Sequence, residues 1–182
     1  LLTCIDVFSK FAWVEPLKRK SATIICEAFN RILSTGRKPW KLRSDKGKEF
    51  INKEFQTLLK TQSIDFFTSQ NEDIKCAVIE RFNRTLKTRM WKYFTDKNTR
   101  KWVNVLQQLV KNYNNSYHRF IKTQPKDVNF KNASIIYENL YPELKKRDKI
   151  LFSIGDHVRI SKFKHVFEKG YVPQWTEEIF II

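Results

Sequence analysis

Two apolar runs open the chain, residues 1–7 (LLTCIDV) and 11–17 (FAWVEPL), with Ser9-Lys10 between them. Runs this short and rich in β-branched and aromatic residues read as strands, and so short a gap makes them a hairpin. Pro16 ends the second strand. Buried strands need covering layers, and the following residues supply them. Ser21 stands where it can cap a helix over residues 22–34, whose apolar face is Ile24, Ile25, Ala28, Phe29 and Ile32, and Gly36 follows as a stop signal. WKLRSD is a short strand ending at Asp45. Asn52 can cap a helix through Phe55, Leu58 and Leu59, and SIDFFTSQ is another short strand.

A polar loop from Gln70 to Asp73 leads into a long helix predicted over residues 74–94. A second covers residues 101–115, with Trp102, Leu106, Leu109, Val110 and Tyr113 on one face. Pro125 sits at a first helical position, and a further short helix spans residues 133–140. YPELKKRDK is a charged linker. From Leu151 the pattern turns to short β-like runs, in GDHVRI and VFEKGYVPQWTEEIFII. The order is strand, strand, helix, strand, helix, strand, helix, helix, then a small β module. That is an α/β layer with mixed strand directions, followed by a barrel-like tail.

Charge narrows the partners. The 182 residues carry 35 Lys+Arg against 19 Asp+Glu, a net charge of +16. A foldable domain this basic points to a polyanion, with nucleic acid the usual one. No apolar run approaches the roughly 20 residues that span a bilayer, and the start has no basic signal-peptide region. Cys4, Cys26 and Cys76 are odd in number and lack CxxC spacing, and His118, His157 and His165 form no metal-binding pair. A disulfide framework and a thiolate zinc site are therefore not expected.

Two carboxylates stand out. Asp45, in SDKGKEF, lies at the end of a predicted strand, with Gly47 giving the backbone room just after it. A carboxylate there can point into a crevice and hold a hard cation; an Asp opening a turn would look the same. Glu80 lies in the long helix, about 200° around from Phe82 and away from the apolar stripe of Val78, Phe82, Leu86 and Met90. Asn83, Arg84 and Lys87 follow it on its own side. From Arg81 to Lys101 there are eight Lys/Arg and one acid, Asp96. A solvated face with a Glu80–Arg84 pair would have the same pattern.

SDKGKEF, followed about 35 residues later by a helix bearing IERFNRTLK, resembles the catalytic core of retroviral and retrotransposon integrases. IDVFSKFAWVEPL resembles that core's second and third strands, YNNSYHRFIKTQPKDV its closing segment, and GDHVRI with KGYVPQWTEEIF an SH3-like C-terminal domain. The wording is nearest to integrases of Polinton (Maverick) type transposons. The resemblance implies a ribonuclease H-like mixed sheet with flanking helices over residues 1–141, a linker at 142–150 and a partial SH3-like barrel at 151–182. It implies an Asp, Asp, Glu triad. Asp45 matches the second Asp and Glu80 the Glu; both would be catalytic and metal-binding, with Mg²⁺ or Mn²⁺ as cofactor. Arg84 and Lys87 match basic positions that grip DNA, and Asn83, Lys46 and Lys48 join them as DNA-binding candidates. Arg159, Lys162, Lys164 and Lys169 suggest a DNA role for the tail.

Asp6 matches a polar position near the end of the second strand and is expected to be structural. The family's first Asp lies one strand earlier, so the chain is expected to be a piece of a longer integrase lacking that strand. Such a piece would be inactive by itself and, with an exposed sheet edge, poorly soluble. The implied activity of the intact protein is 3′-end processing and strand transfer, on element ends and target DNA, in the nucleus, as a homo-multimer and without a membrane. A non-catalytic DNA-binding remnant and a ribonuclease H-like nuclease are the alternatives.

Overall fold

The computed structural model describes residues 1–68, 77–142, 152–162, 173 and 175–182. The chain divides into two compact units, residues 1–140 and 141–182.

In the first unit, β1 (Leu2–Ile5) and β2 (Ala12–Glu15) pair antiparallel, with Leu2 opposite Glu15 and Ile5 opposite Ala12. The turn is wider than Ser9-Lys10 alone. Asp6 N–H donates to Phe11 O and Lys10 N–H to Asp6 O, both at 2.8 Å, and Lys10 takes a left-handed φ of 61°. The two faces of this ribbon go to different cores. Leu2, Cys4 and Trp13 face a cluster of Ile25, Phe29, Phe55, Leu59 and Ile64. Ile5, Ala12 and Val14 face a cluster of Phe82, Leu86, Leu106, Val110 and Tyr113. Helices on both faces explain why these strands are apolar throughout rather than alternating.

The first cover is α1 (Ala22–Leu33) with α3 (Lys53–Thr61). Cys26, rather than Ile24, completes the buried face of α1. Ser21 occupies the capping position of α1, but its side chain makes no capping hydrogen bond. Asn52 does cap α3: its Oδ1 accepts from Phe55 N–H at 2.9 Å. Before it lies a one-turn helix, α2 (Lys48–Ile51), which the sequence pattern does not announce. The β3 strand (Lys41–Ser44) and β4 (Asp65–Thr68) run parallel across this α2–α3 crossover, with Leu42 opposite Phe66. Leu42 and Phe66 pack on the first core.

The second cover is α4 (Ala77–Lys97) with α5 (Val103–Asn114). α4 runs three residues past its predicted end. Its buried stripe is Phe82 and Leu86, flanked by Ile79 and Met90, so Ile79 takes the place expected of Val78. Phe82 meets Tyr113 of α5 edge-on, with ring centroids 4.8 Å apart. Asn114 makes two 2.9 Å bonds to one residue of β2: Oδ1 accepts from Ala12 N–H, and Nδ2 donates to Ala12 O. Gln107 Nε2 donates to Val14 O at 2.8 Å. Two side chains of α5 thus stand in for a strand along the outer edge of β2. Pro125 opens a single 3₁₀ turn at Pro125–Asp127, and α6 spans Ala133–Leu140.

The architecture is α/β with strands of mixed direction, as expected, and the sheet lies in two pieces. Among the described residues, the antiparallel β1–β2 and parallel β3–β4 pairs are separate two-stranded sheets joined through the first core. No described strand pairs with the other edge of β1 or of β3.

In the second unit, β5 (His157–Val158) pairs antiparallel with β6 (Phe180–Ile181), and Ser161 bridges to Trp175. Among the described residues this ladder and bridge do not close a barrel. Lys164 and Lys169 lie outside the described residues, as do Cys76, His165, the predicted loop at 70–73 and most of the linker.

Candidate active site on the β3 turn and helix α4

Asp45 is the first residue after β3, exposed, in a turn held from both ends. Its Oδ1 accepts from Gly47 N–H at 3.3 Å. A Cβ on Gly47 would come within 2.9 Å of the Glu49 carboxyl and 3.1 Å of Asp45 Oδ1, so a larger residue here would push these two side-chain ends aside. Downstream, Asn52 Nδ2 donates to Glu49 O at 2.7 Å while its Oδ1 caps α3. Phe50 sets its ring against Phe55, centroids 5.6 Å apart. The turn is therefore tied to the buried core, with its acidic side chain left outside. Glu49, which the sequence reading passes over, lies beside Asp45 and pairs with Lys20 at 3.4 Å. Lys46 is exposed in the same turn, and Lys48, also exposed, opens α2.

Glu80, Asn83, Arg84 and Lys87 come together on one side of α4, where they line a shallow groove, wide open to solvent, whose described lining residues all belong to α4 itself. The i,i+4 pair that would give Glu80 a structural role does not form. Among the described residues Glu80 has neither a hydrogen-bond nor an ion-pair partner, and it is exposed. Asn83 Oδ1 is buried with no hydrogen-bond partner among the described residues. Burial of a polar atom without a partner costs about 1–3 kcal/mol, and fold stability gives no reason for it. Asp45, Lys46 and Lys48 do not line this groove.

The groove also contains Trp91 and Lys92, which the sequence reading did not single out. The signal was present: Trp91 is eleven residues after Glu80, only about 20° from it around the helix.

Asp6 is committed elsewhere. Its carboxylate accepts from Phe8 N–H at 3.1 Å, from Ser9 N–H at 3.2 Å and from the Ser9 hydroxyl. That fixes the β1–β2 turn and identifies Asp6 as a turn residue. The described cysteines are poor nucleophiles: burial pushes the Cys4 thiol up to about 12, and burial, then Glu54, raises that of Cys26.

As a donor set, Asp45 and Glu80 offer hard oxygens, which suit Mg²⁺ or Mn²⁺ rather than a soft metal. Among the described residues no three His, Cys, Asp or Glu side chains cluster closely enough to hold a metal by themselves. Among them also, no helix is long and apolar enough to cross a membrane.

Comparison with known proteins bears on the fold. Residues 1–73 match the integrase core domain family. The whole chain is 41% identical to a transposon-derived protein of Caenorhabditis elegans, and spans 61% of that protein's length. Among solved structures, the HTLV-2 integrase catalytic core with magnesium superposes with a TM-score of 0.61 at 21% identity, over 69% of this chain and 81% of that one. The BIV integrase catalytic core gives 0.61 at 17% identity, over 74% and 88%. The integrase chain of a simian T-cell lymphotropic virus intasome gives 0.62 at 18%, over 88% and 52%. The fold is that of a retroviral integrase core. Over its first 73 residues the chain is similar to the integrase core domain family, and over its whole length to a transposon-derived protein.

Proposed function

We propose that the protein is a transposon integrase that joins DNA ends to target DNA by phosphoryl transfer. The observation that carries this is Glu80: an exposed carboxylate without a partner among the described residues, heading a groove whose next side chains are Arg84 and Lys87. A carboxylate facing a phosphodiester by itself would repel it. It becomes useful beside basic residues when a cation lies between carboxylate and phosphate.

In this reading Asp45 and Glu80 are two carboxylates of the site and would hold divalent metal. Bound metal would supply activation of the attacking oxygen and charge stabilisation at the leaving one. The chain's own residues position the substrate. Arg84 and Lys87, one and two turns along α4 from Glu80, hold successive phosphates of one strand. Lys46 and Lys48 hold phosphates near Asp45. Asn83, one turn along α4 from Glu80, lies beside the strand end. The reaction exchanges one phosphodiester for another and needs no nucleotide cofactor. Asp6 cannot supply a further carboxylate without giving up its turn. The tail, the multimer, the nuclear location and the kinship to Polinton-type elements belong to the same proposal. The trimeric and dimeric HTLV-2 cores support self-association.

The test is Mg²⁺-dependent strand transfer in the full-length protein. Asp45→Asn and Glu80→Gln should each abolish joining while DNA binding persists. Joining that survives both would sink the assignment. Binding without joining in the unaltered protein would leave a DNA-binding role only, and cleavage confined to RNA–DNA hybrids would indicate a nuclease.

A further inference from the structure

The groove on α4 continues past its basic residues to a feature that phosphate binding does not use. Trp91 lines it and is 54% exposed, between Lys87 and Lys92. Half-exposed rings are common on this chain, and Trp91 is set apart by lying in line with the basic residues of α4. This one is also held. The Arg100 guanidinium, from the segment after α4, lies 4.6 Å over the Trp91 ring centroid and 6.0 Å from that of Phe94. Phe94 meets Trp91 edge-on at 5.8 Å. The ring is therefore held in one orientation while much of its surface stays open.

We propose that Trp91, held by Arg100, is a stacking platform for an unpaired nucleobase, so that the α4 groove takes a DNA strand that leaves the duplex. The inference rests on the integrase reading and extends it from phosphate contacts to the form of the substrate. Basic side chains tracking a backbone, with an aromatic ring in the same groove, are the chemistry of single-strand binding. Within a continuous duplex each base hides its faces against its neighbours. Only a frayed or overhanging base has a face to offer Trp91. The distance sets where that base lies. Eleven residues of helix separate Trp91 from Glu80, about 16 Å, or at most about five nucleotide steps, the number at duplex spacing. The strand passes Arg84 and Lys87 on the way.

The experiment titrates the 182-residue chain against two labelled DNA probes at one fixed salt concentration. One is a blunt duplex; the other is the same duplex with a single-stranded 5′ extension of about five nucleotides, matched to that spacing. The unaltered chain should prefer the extended probe. Trp91→Ala should lose roughly tenfold in affinity for it while its affinity for the blunt duplex changes by less than about twofold. Trp91→Phe, which keeps a ring, should retain most of the preference, and circular dichroism checks that each variant folds. Equal affinities of Trp91→Ala and unaltered chain for the extended probe, or equal losses on both probes, overturn the platform. So does an unaltered chain that binds neither probe. The parent reading fails by a separate sign: joining retained in Asp45→Asn and Glu80→Gln, whatever happens at Trp91.

Discussion

Replacing Asn114 with alanine tests how the second helical layer is fixed to the sheet. Asn114 and Ala12 are 6% and 1% exposed, and the two 2.9 Å bonds between them link residues 102 positions apart. The substitution removes both bonds and leaves the Ala12 N–H and C=O buried with no partner. Each orphaned group costs about 1–3 kcal/mol, so the loss should be about 3 kcal/mol, with about 2 to 6 kcal/mol as the outer bounds. For a chain of this size that lowers the melting midpoint by about 6–12 °C. Urea unfolding followed by far-ultraviolet circular dichroism should show a lower midpoint at unchanged m-value. Asn114→Asp should be at least as harmful, because a carboxylate accepts from the N–H but has no proton for the C=O. A loss below about 1 kcal/mol in both variants would refute the argument that these side chains serve β2 as a strand would. The consequence reaches the site, because Tyr113, next to Asn114, packs on Phe82 and so holds α4 in place.

Two further outcomes follow from the same structure. Arg84→Ala and Lys87→Ala should each weaken DNA binding across sequences and reduce the slope of log affinity against log salt by about 1, measured by titration at several salt concentrations. The His118 side chain is held below the usual histidine value of 6.5, by burial first and then by Lys10 and Arg119. The unfolded chain therefore takes up this proton before the folded one does. The stability contributed by neutral His118 is complete above pH 6.5 and falls as pH drops from there towards the lowered folded value. The urea midpoint should fall over that window, and less so in His118→Gln.

Legibility followed the kind of signal each residue carries. Side-chain caps and stripes repeat at fixed spacing, so Asn52 could be placed at the start of α3 and Phe82 and Leu86 on the buried side of α4 from the sequence alone. One-position slips arose where two apolar neighbours compete for the edge of a stripe. Cys26 is buried where Ile24 was expected, and Ile79 joins the core instead of Val78. Packing decides such ties, and the sequence pattern does not contain the packing. Ser21 shows the limit of capping rules: the residue type is right, but its hydroxyl makes no capping bond. Asn114 left a trace that pattern reading discards, a polar residue four and eight positions after Val110 and Leu106 on an apolar face. Its partner is a strand edge far away in sequence. At the site, the Asp45 turn and the polar residues of α4 were legible. The β1–β2 hairpin was legible because its strands adjoin in sequence, whereas the parallel β3–β4 pairing, across two helices, was not.

Helix α4 explains why the candidate site could be read at all. One face is fixed by burial: Phe82 and Leu86 are almost fully enclosed, each stabilising the unit by about 1.5–3 kcal/mol. Rotating the helix by one residue, about 100°, would expose them. That cost fixes the orientation of every other residue on the helix, including Glu80 on the opposite side. The opposite side has no comparable influence on the fold. Even if Glu80 paired with Arg84, an exposed pair contributes at most about 1 kcal/mol, and the pair is not formed. Stability therefore constrains positions 79, 82, 86 and 90 and is nearly indifferent to Glu80, Arg84 and Lys87. A carboxylate, two cations and a half-exposed indole on one groove are not what an indifferent surface requires. They are what the proposed site would need, groups to hold a metal, a phosphate and a base in sequence along a single DNA strand.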